Sequence, residues 1–308
     1  MKLNLRKSST AKVFRSEYGF SFVMLLLLCA AGMQATAQVN PLISSYYQNQ
    51  YINNPAMAGS GKGLNVNLGY NREWVDNDGA PVMNLVTADY RRGNIGLGLY
   101  VNAAKDGIIN NNKYAVTYAY HLPVGTEQQL SFGLSAGLTT DRLGMGNIVG
   151  DSEDPALSRY NDQKAYFDAD FGAAFSAKNL TVQAVVQNMK KYFYGDEETE
   201  LYPTSSFFTS ISYKYDSEIL SLEPKVSYRG LRNYDDILDA GMNAIFADEK
   251  FNVLAMYHTS KNVTLGLGFT HQKRYQLQLA YTSPTMARLR NYTNGTIELG
   301  LKLNFLNN

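Results

Sequence analysis

Hydrophobic and polar residues alternate along much of this chain with a period of two. The last segment is the clearest example: Gly295 to Phe305 reads GTIELGLKLNF, so that one face is apolar and the other carries Glu298 and Lys302. Successive side chains of a β-strand point to opposite faces, so this pattern is typical of a strand between two different surroundings. Fourteen such segments follow one another: residues 64–70, 82–90, 95–101, 114–120, 130–138, 167–175, 180–186, 207–215, 220–228, 238–246, 251–257, 263–269, 275–281 and 297–305.

The polar faces of these segments indicate which kind of barrel the strands form. They consist of small or polar residues, as at Asn65 and Asn67 or at Gly96 and Gly98. A water-soluble barrel turns its apolar faces inward around a core, whereas a membrane barrel shows them to lipid and encloses a polar lumen. The pattern therefore predicts an all-β fold, a transmembrane antiparallel up-and-down β-barrel of about fourteen strands that occupies residues 62–308.

Connections between the segments alternate between short and long. One set, which includes residues 91–94 and 272–274, is short, whereas the other set includes residues 143–164 and 189–204. Membrane barrels combine short periplasmic turns with longer outer loops, and an even strand number returns both chain ends to one side. We therefore expect the N- and C-termini to be periplasmic and the long loops to lie outside the cell.

The first 37 residues have the features of a secretory signal peptide. Five basic residues precede an apolar run from Phe20 to Ala31, and Ala35-Thr36-Ala37 reads as a small-x-small cleavage site. The run is too short to span a membrane as a helix. Residues 1–37 are thus predicted to be cleaved after export, and the barrel pattern predicts an outer-membrane location. Cys29 lies in this leader, so the mature chain has no thiol for disulfides, metal binding or catalysis.

Charge and motifs give no sign of enzymatic chemistry. Removing the five Lys/Arg and the one acid of the leader from totals of 28 and 27 leaves 23 basic and 26 acidic residues, a balance that does not suggest nucleic acid as a partner. His121, His258 and His271 lack metal-ligand spacing, and we expect interface or turn roles for them. Nucleophile elbows, phosphate loops and zinc-helix motifs are absent from the sequence. We therefore expect no enzyme, no cofactor and no metal site.

A short motif stands before the first strand, in residues 38–61. It reads NPAMAG from Asn54 to Gly59, and the chain around it resembles the PorP/SprF family of type IX secretion-associated outer-membrane proteins. That family opens with an aromatic-rich stretch and the pattern Asn-Pro-Ala-aromatic-x-Gly, in which Met57 here replaces the aromatic. The residues that match the family's N-terminal motif are Tyr47, Gln48, Asn53, Asn54, Pro55, Ala56 and Gly59. Residues 72–74, 79–81 and 105–107 also resemble the family's first hairpin and second outer loop.

The resemblance implies a non-enzymatic role beside the type IX machinery. Such proteins help to secrete or anchor a large cell-surface protein, an adhesin with a type B C-terminal sorting domain, and in gliding bacteria they support motility. The implied partners are that surface protein, type IX secretion components and outer-membrane lipid. Exposed aromatics dominate interfaces, so we expect partner contacts in the long loops, with the aromatic girdle of the membrane interface as the alternative role: Tyr160, Tyr192, Phe193, Tyr194 and Tyr202.

Two further segments have expected roles. Residues 38–61 are expected to be a periplasmic lead-in or a plug of the lumen. The last strand has the character of a barrel-assembly signal, with these residues: Gly295, Leu299, Leu301, Leu303 and Phe305.

The alternative function is a passive porin or a transporter of hydrophobic small molecules, because about fourteen strands approach the width at which a lumen opens. No basic or acidic ladder marks a constriction, so the sequence leaves both an open and a plugged lumen possible.

Overall fold

Among the described residues, fourteen long strands form one antiparallel sheet that closes into a barrel. The computed structural model describes residues 42, 44–75, 79–144, 160–162, 165–190, 205–231, 236–284 and 294–305. The strands are β1 Gly63–Arg72, β2 Val82–Arg92, β3 Ile95–Asp106, β4 Ile109–Gly125, β5 Gln128–Leu143, β6 Tyr166–Ala177, β7 Leu180–Val186, β8 Ser205–Tyr213, β9 Leu220–Leu231, β10 Ile237–Phe246, β11 Phe251–His258, β12 Asn262–His271, β13 Tyr275–Thr282 and β14 Thr296–Phe305. A two-residue strand, Tyr215–Asp216, follows β8 and also pairs with β9.

Closure of the sheet comes from the pairing of its first and last strands. Each strand pairs with the next along the chain, and β14 returns to β1, where Leu64 lies opposite Phe305 and Arg72 opposite Ile297. A closed sheet has no edge strand, so its backbone groups find partners within the sheet, as the bilayer interior requires. The predicted fold, an antiparallel membrane barrel of fourteen strands, is confirmed.

Pro224 lies inside β9 without breaking it. On the β10 side Pro224 is opposite Met242, within a continuous ladder. On the other side β9 pairs through Leu222 with the short strand and from Lys225 onward with β8, so Pro224 falls in the gap between these two ladders. Proline has no N–H to donate, and a gap in the ladder is the place where that loss costs least.

Burial across the barrel wall is inverted relative to a soluble protein. The outward faces carry large apolar side chains, among them Val116 and Leu267, which are 63% and 62% exposed. The inward faces carry buried polar side chains such as Asn67, Thr87 and Asp239. This is the arrangement of a sheet with lipid outside and polar contents inside. Among the described residues, no helix is both long enough and apolar enough to cross a membrane.

The two ends of the barrel differ in their connections. At one end, here called the short-turn end, strands are joined by residues 93–94, 126–127, 178–179, 217–219, 247–250 and 272–274. At the other, the long-loop end, the connections include residues 73–81, 144–165, 187–204 and 283–295. Strand β1 begins and β14 ends at the short-turn end. Three further connections at the long-loop end are short, residues 107–108, 232–236 and 259–261, so the long connections predicted by the sequence are found at four of its seven positions.

The chain before β1 turns back into the barrel. It consists of a one-turn helix, α1 (Ser44–Tyr47), and two 3-10 turns, Gln50–Ile52 and Pro55–Met57. We call residues 44–61 the lumen segment, because their side chains and one backbone carbonyl bond to inward-facing residues of strands all around the wall. Gly59 contacts β2 near the short-turn end, whereas Tyr46 contacts β10 toward the long-loop end.

The lipid-facing surface can be tested at the middle of β12. Replacing Leu267 by arginine places a charge where an apolar side chain faces outward, which costs about 2–4 kcal/mol near the bilayer midplane. We expect L267R to lower the free energy of unfolding by that amount in urea titrations of the protein folded into phospholipid vesicles. L267M is the matched control and should change it by less than about 1.5 kcal/mol. Equal stabilities of the two variants would contradict a lipid contact at this face.

Candidate functional site

The lumen segment rests on glycines of the barrel wall. If Gly172 of β6 carried a Cβ, that atom would lie 2.0 Å from Asn54 Oδ1, and on Gly133 of β5 it would lie 2.2 Å from the carbonyl carbon of Pro55. Real side chains do not approach this closely, so the segment can sit here only because the wall lacks side chains. We call the four wall glycines that it contacts the glycine seat: Gly96, Gly98, Gly133 and Gly172.

The other half of the glycine seat lies on β3. A Cβ on Gly96 would lie 2.1 Å from the carbonyl oxygen of Ala58, and on Gly98 it would lie 2.5 Å from the hydroxyl of Tyr51. Gly59 has a φ of +71°, a left-handed conformation that favours glycine, and its own Cβ would lie 2.9 Å from Gly96. The final glycine of the motif is thus required by both its backbone angle and its contact with the wall.

Asn54 is the most thoroughly bonded residue of the motif. Its Oδ1 accepts a hydrogen bond from the backbone N–H of Ala56 at 2.9 Å, which caps the 3-10 turn that begins at Pro55. Its Nδ2 donates to the carbonyl of Ala173 at 3.2 Å and to Oε1 of Gln183 at 3.1 Å. Asparagine is a favoured cap and proline a favoured first residue of a helical turn. The Asn-Pro-Ala sequence therefore forms the turn and joins it to β6 and β7.

A second set of bonds holds the segment at the short-turn end. The Nε2 of His121 donates to the carbonyl oxygen of Ala58 at 2.9 Å, since that oxygen can only accept, and its Nδ1 lies 2.9 Å from Ser131 Oγ. The backbone N–H of Gly59 donates to Asp89 Oδ2 at 3.0 Å. His121 therefore binds the lumen segment, and the expectation of a turn or interface role was wrong because the strand face on which it stands points inward.

A buried ionic cluster holds the other end of the segment. Asp239 accepts from the Tyr46 hydroxyl at 2.5 Å and from Arg229 Nε at 3.0 Å, and its second oxygen lies 2.5 Å from His258 Nδ1. The ammonium group of Lys225 donates to the carbonyl oxygen of Tyr46. Burial, reinforced by the hydrogen bond to Asp239, raises the pKa of the Tyr46 hydroxyl well above its ordinary value, so it stays protonated and donates.

Sequence reasoning missed this cluster. Arg229, Asp239 and His258 lie on β9, β10 and β11, and no motif spacing connects them. The available signal was that each is a charged or titratable residue on the inward face of a predicted strand. Like His121, His258 is a lumen residue, whereas His271 is exposed beside Tyr275 near the short-turn end.

The remaining motif residues also bond to the wall. The backbone carbonyl of Gln48 accepts from Lys302 Nζ at 3.0 Å, and its side-chain amide donates to the carbonyl of Gln276 at 3.3 Å. The carbonyl of Asn53 accepts from Gln187 Nε2 at 3.1 Å. The segment is thus tied to β13, β14 and the residues after β7.

Tyr47 contacts the wall through its ring. The ammonium of Lys225 lies 5.0 Å from the ring centroid, a distance typical of a cation–π contact. All seven residues predicted as the family motif therefore lie in the lumen segment and inside the barrel: Tyr47, Gln48, Asn53, Asn54, Pro55, Ala56 and Gly59.

Cavities lie on both sides of the lumen segment. One of about 170 Å³ lies toward the long-loop end and is lined by residues 51–53 and Pro55 of the segment. Another of about 510 Å³ lies toward the short-turn end and is lined by Ala56, Met57 and Ser60. The segment thus stands between the two cavities. Among the described residues, no group of three His, Cys, Asp or Glu side chains is placed to hold a metal ion.

The other predicted site residues lie at the barrel surface or outside the described residues. Tyr160 is half-buried in a short turn of the long-loop end, and Tyr192, Phe193, Tyr194 and Tyr202 fall outside the described residues. On β14, Leu299 and Phe305 are exposed on the outward face. Gly295, just before β14, has a φ of +86°. The roles of these residues in partner binding and in assembly stay predictions.

Solved structures share the barrel fold at low sequence identity. The toluene transporter TbuX of Ralstonia pickettii superposes with a TM-score of 0.53 at 13% identity, covering 89% of this chain and 96% of that one. The outer membrane protein Omp33 of Acinetobacter baumannii gives a TM-score of 0.48 at 10% identity, covering 80% and 100%. The CymD monoaromatic hydrocarbon channel gives 0.48 at 12% identity, covering 89% and 95%. At these identities the likeness shows the fold alone.

Sequence comparison gives the family. No curated protein matches this chain in sequence. The family described as type IX secretion system membrane protein PorP/SprF matches it over residues 35–303, which include the lumen segment and nearly the whole barrel. The chain therefore belongs to the PorP/SprF family of type IX secretion system membrane proteins.

Proposed function

We propose that this protein is a plugged, non-enzymatic outer-membrane barrel that helps the type IX secretion system to secrete or anchor a large surface protein. The cargo we propose is an adhesin with a type B C-terminal sorting domain, and in a gliding bacterium it would serve motility. Family membership supports the link to type IX secretion. The single observation on which the proposal of a plugged barrel rests is the fit of the family motif into the glycine seat.

The contacts of the lumen segment favour anchoring over passive transport. A porin needs a continuous aqueous path, yet the segment is bonded to the wall at both of its ends, through Gly59 and Tyr46. A carrier of hydrophobic molecules needs an apolar lining, yet the lumen wall is rich in buried Asn, Ser, Thr and charged side chains. Both features fit a barrel whose lumen is filled and whose partners are met at its ends.

The orientation that we propose follows from the predicted leader and from the connections. Residues 1–37 would direct export and be removed, and the short-turn end, with both chain termini, would face the periplasm. The long-loop end would then face outward, and the proposed contacts with a surface protein are Tyr160, Tyr192, Phe193, Tyr194 and Tyr202. Aromatic side chains supply large contact areas at low entropic cost, which suits them to this role.

The partner proposal is tested by crosslinking the tagged barrel in its own outer membrane and identifying what co-purifies by mass spectrometry. We expect type IX components and a large surface protein with a C-terminal sorting domain. Changing residues 192–194 to serine should lower the yield of the surface protein, since interface aromatics often contribute about 2 kcal/mol or more. Y120S is the control, because Tyr120 is an exposed aromatic near the short-turn end.

Two outcomes would count against this proposal. Recovery of the barrel alone would remove the support for a partner. A loop variant that assembles poorly in the membrane, with normal partner yield per folded barrel, would assign the loop aromatics to the girdle instead.

The plug is tested by conductance in planar bilayers. A methyl group at Gly172 would lie 2.0 Å from Asn54, whereas one at Gly69, which also faces the lumen, would make ordinary contacts at 3.5 Å. Overpacking costs about 1–3 kcal/mol, which corresponds to a roughly 5- to 150-fold larger population with the segment displaced. We expect G172A to open channels that the wild type and G69A rarely show. Steady channels in all three proteins would instead favour the porin.

A further inference from the structure

The cavity of about 170 Å³ on the long-loop side of the lumen segment is a built polar site. It lies between the Asn53–Pro55 turn and the inward faces of β3 to β6. Its volume corresponds to roughly five or six water molecules at about 30 Å³ each, which is also the scale of one hexose ring. Several of its lining residues stand toward the loop ends of their strands, so the site faces the long-loop end.

One lining residue is an unsatisfied hydrogen-bond acceptor. Asn102 of β3 is only 8% exposed, and its Oδ1 has no partner among the described residues. A buried polar atom without a partner costs about 1–3 kcal/mol, so such a group in a cavity wall points to a missing hydrogen-bond donor. The ligand must therefore bring a donor to this position.

The two charged side chains that line the cavity form an ion pair. Lys113 Nζ lies 2.8 Å from Asp170 Oδ2, and both side chains are at least four-fifths buried. This ion pair uses one of the three ammonium N–H groups of Lys113 and leaves no net charge between the two residues. A neutral ligand fits this balance, since an ion would have to be matched by a free counter-charge.

Aromatic rings complete the site. The cavity is lined by three tyrosines, Tyr51 of the lumen segment, Tyr100 of β3 and Tyr166 of β6. Rings beside hydrogen-bonding groups suit a molecule that has apolar C–H faces and hydroxyls around its edge. A ligand with an amide side chain would fit less well, because it presents its donor and acceptor at one end only, whereas the polar groups that line the cavity come from several strands. A purely apolar ligand would leave Asn102 unsatisfied.

We propose that this cavity binds a neutral monosaccharide unit, with hydroxyl groups donating to Asn102 and accepting from Lys113 and with ring faces against the tyrosines. The sugar is either free or the terminal unit of a surface glycan. This site does not depend on the anchoring role: sugar binding can fail while the surface protein still co-purifies, and the reverse.

Titration calorimetry of the folded, detergent-solubilised barrel tests the proposal with glucose, galactose and mannose, each as the free sugar and as the methyl glycoside. We expect at least one sugar to bind with a Kd of about millimolar, as the small size of the ligand dictates. N102A removes the acceptor and should weaken binding about tenfold. Among the described residues the Oδ1 of Asn102 accepts no hydrogen bond, so N102A should preserve folding.

Asn67 supplies a matched control. It is also a buried lumen asparagine whose Oδ1 has no partner among the described residues, but the cavity beside it is only about 10 Å³. N67A should bind sugar as the wild type does. A second variant, A115F, fills the cavity without removing a polar side chain and should abolish binding.

The possible outcomes divide clearly. Binding of methyl glycosides as well as free sugars assigns the site to the end of a glycan, whereas binding of free sugars alone assigns it to a free monosaccharide. The proposal is overturned if none of the sugars binds at a concentration of about 50 mM. It is also overturned if N102A and A115F bind sugar as the wild type does.

Discussion

Hydrogen-bond closure of the sheet is the constraint on which the rest of this structure depends. An unpaired backbone group inside a bilayer costs several kcal/mol, so β14 has to return to β1 and leave no edge. Fourteen strands then fix the circumference of the barrel, and a ring of this size encloses more space than the side chains of its own wall fill. The lumen segment occupies that space. Closure therefore sets the topology, the strand number sets the width, and the width leaves the space that the lumen segment fills.

Filling a polar lumen differs from packing a hydrophobic core. The segment does make apolar contacts, chiefly through Tyr46 and Tyr51, each of which packs in a small apolar cluster with the wall. Its position is also set by close backbone approach and by many modest hydrogen bonds, each worth about 0.5–1.5 kcal/mol. The glycine seat fixes depth and orientation at the Asn54–Gly59 turn. The Asp239 cluster fixes the α1 end, where one carboxylate satisfies Tyr46, Arg229 and His258 together. Removing Asp239 would break all three of these bonds at once, so the cluster depends on this one carboxylate.

The bonded lumen segment supports the proposed role of a barrel that belongs to a secretion system without being its conduit. The bonded segment separates one cavity from the other, and the apolar outer face of the wall is suited to contact with lipid. The surfaces left for recognition are the two ends and the polar cavity at the long-loop side. The proposed partner docking at the loops and the proposed sugar binding beside the lumen segment therefore use parts of the molecule that the fold has not already occupied.

The sequence by itself determined the barrel. Alternation with period two depends only on neighbouring residues, so the face assignment of segments such as β3, β12 and β14 followed directly, and so did the positions of the four longest connections. The motif from Asn54 to Gly59 indicated the family, but it did not indicate that the motif packs against the glycine seat. The contacts of Gly172 with Asn54 and of Asp239 with Tyr46 join residues 118 and 193 positions apart in the chain. Only the tertiary structure decides such contacts, because they depend on which inward faces meet across a lumen, and strand periodicity is the same for every such arrangement.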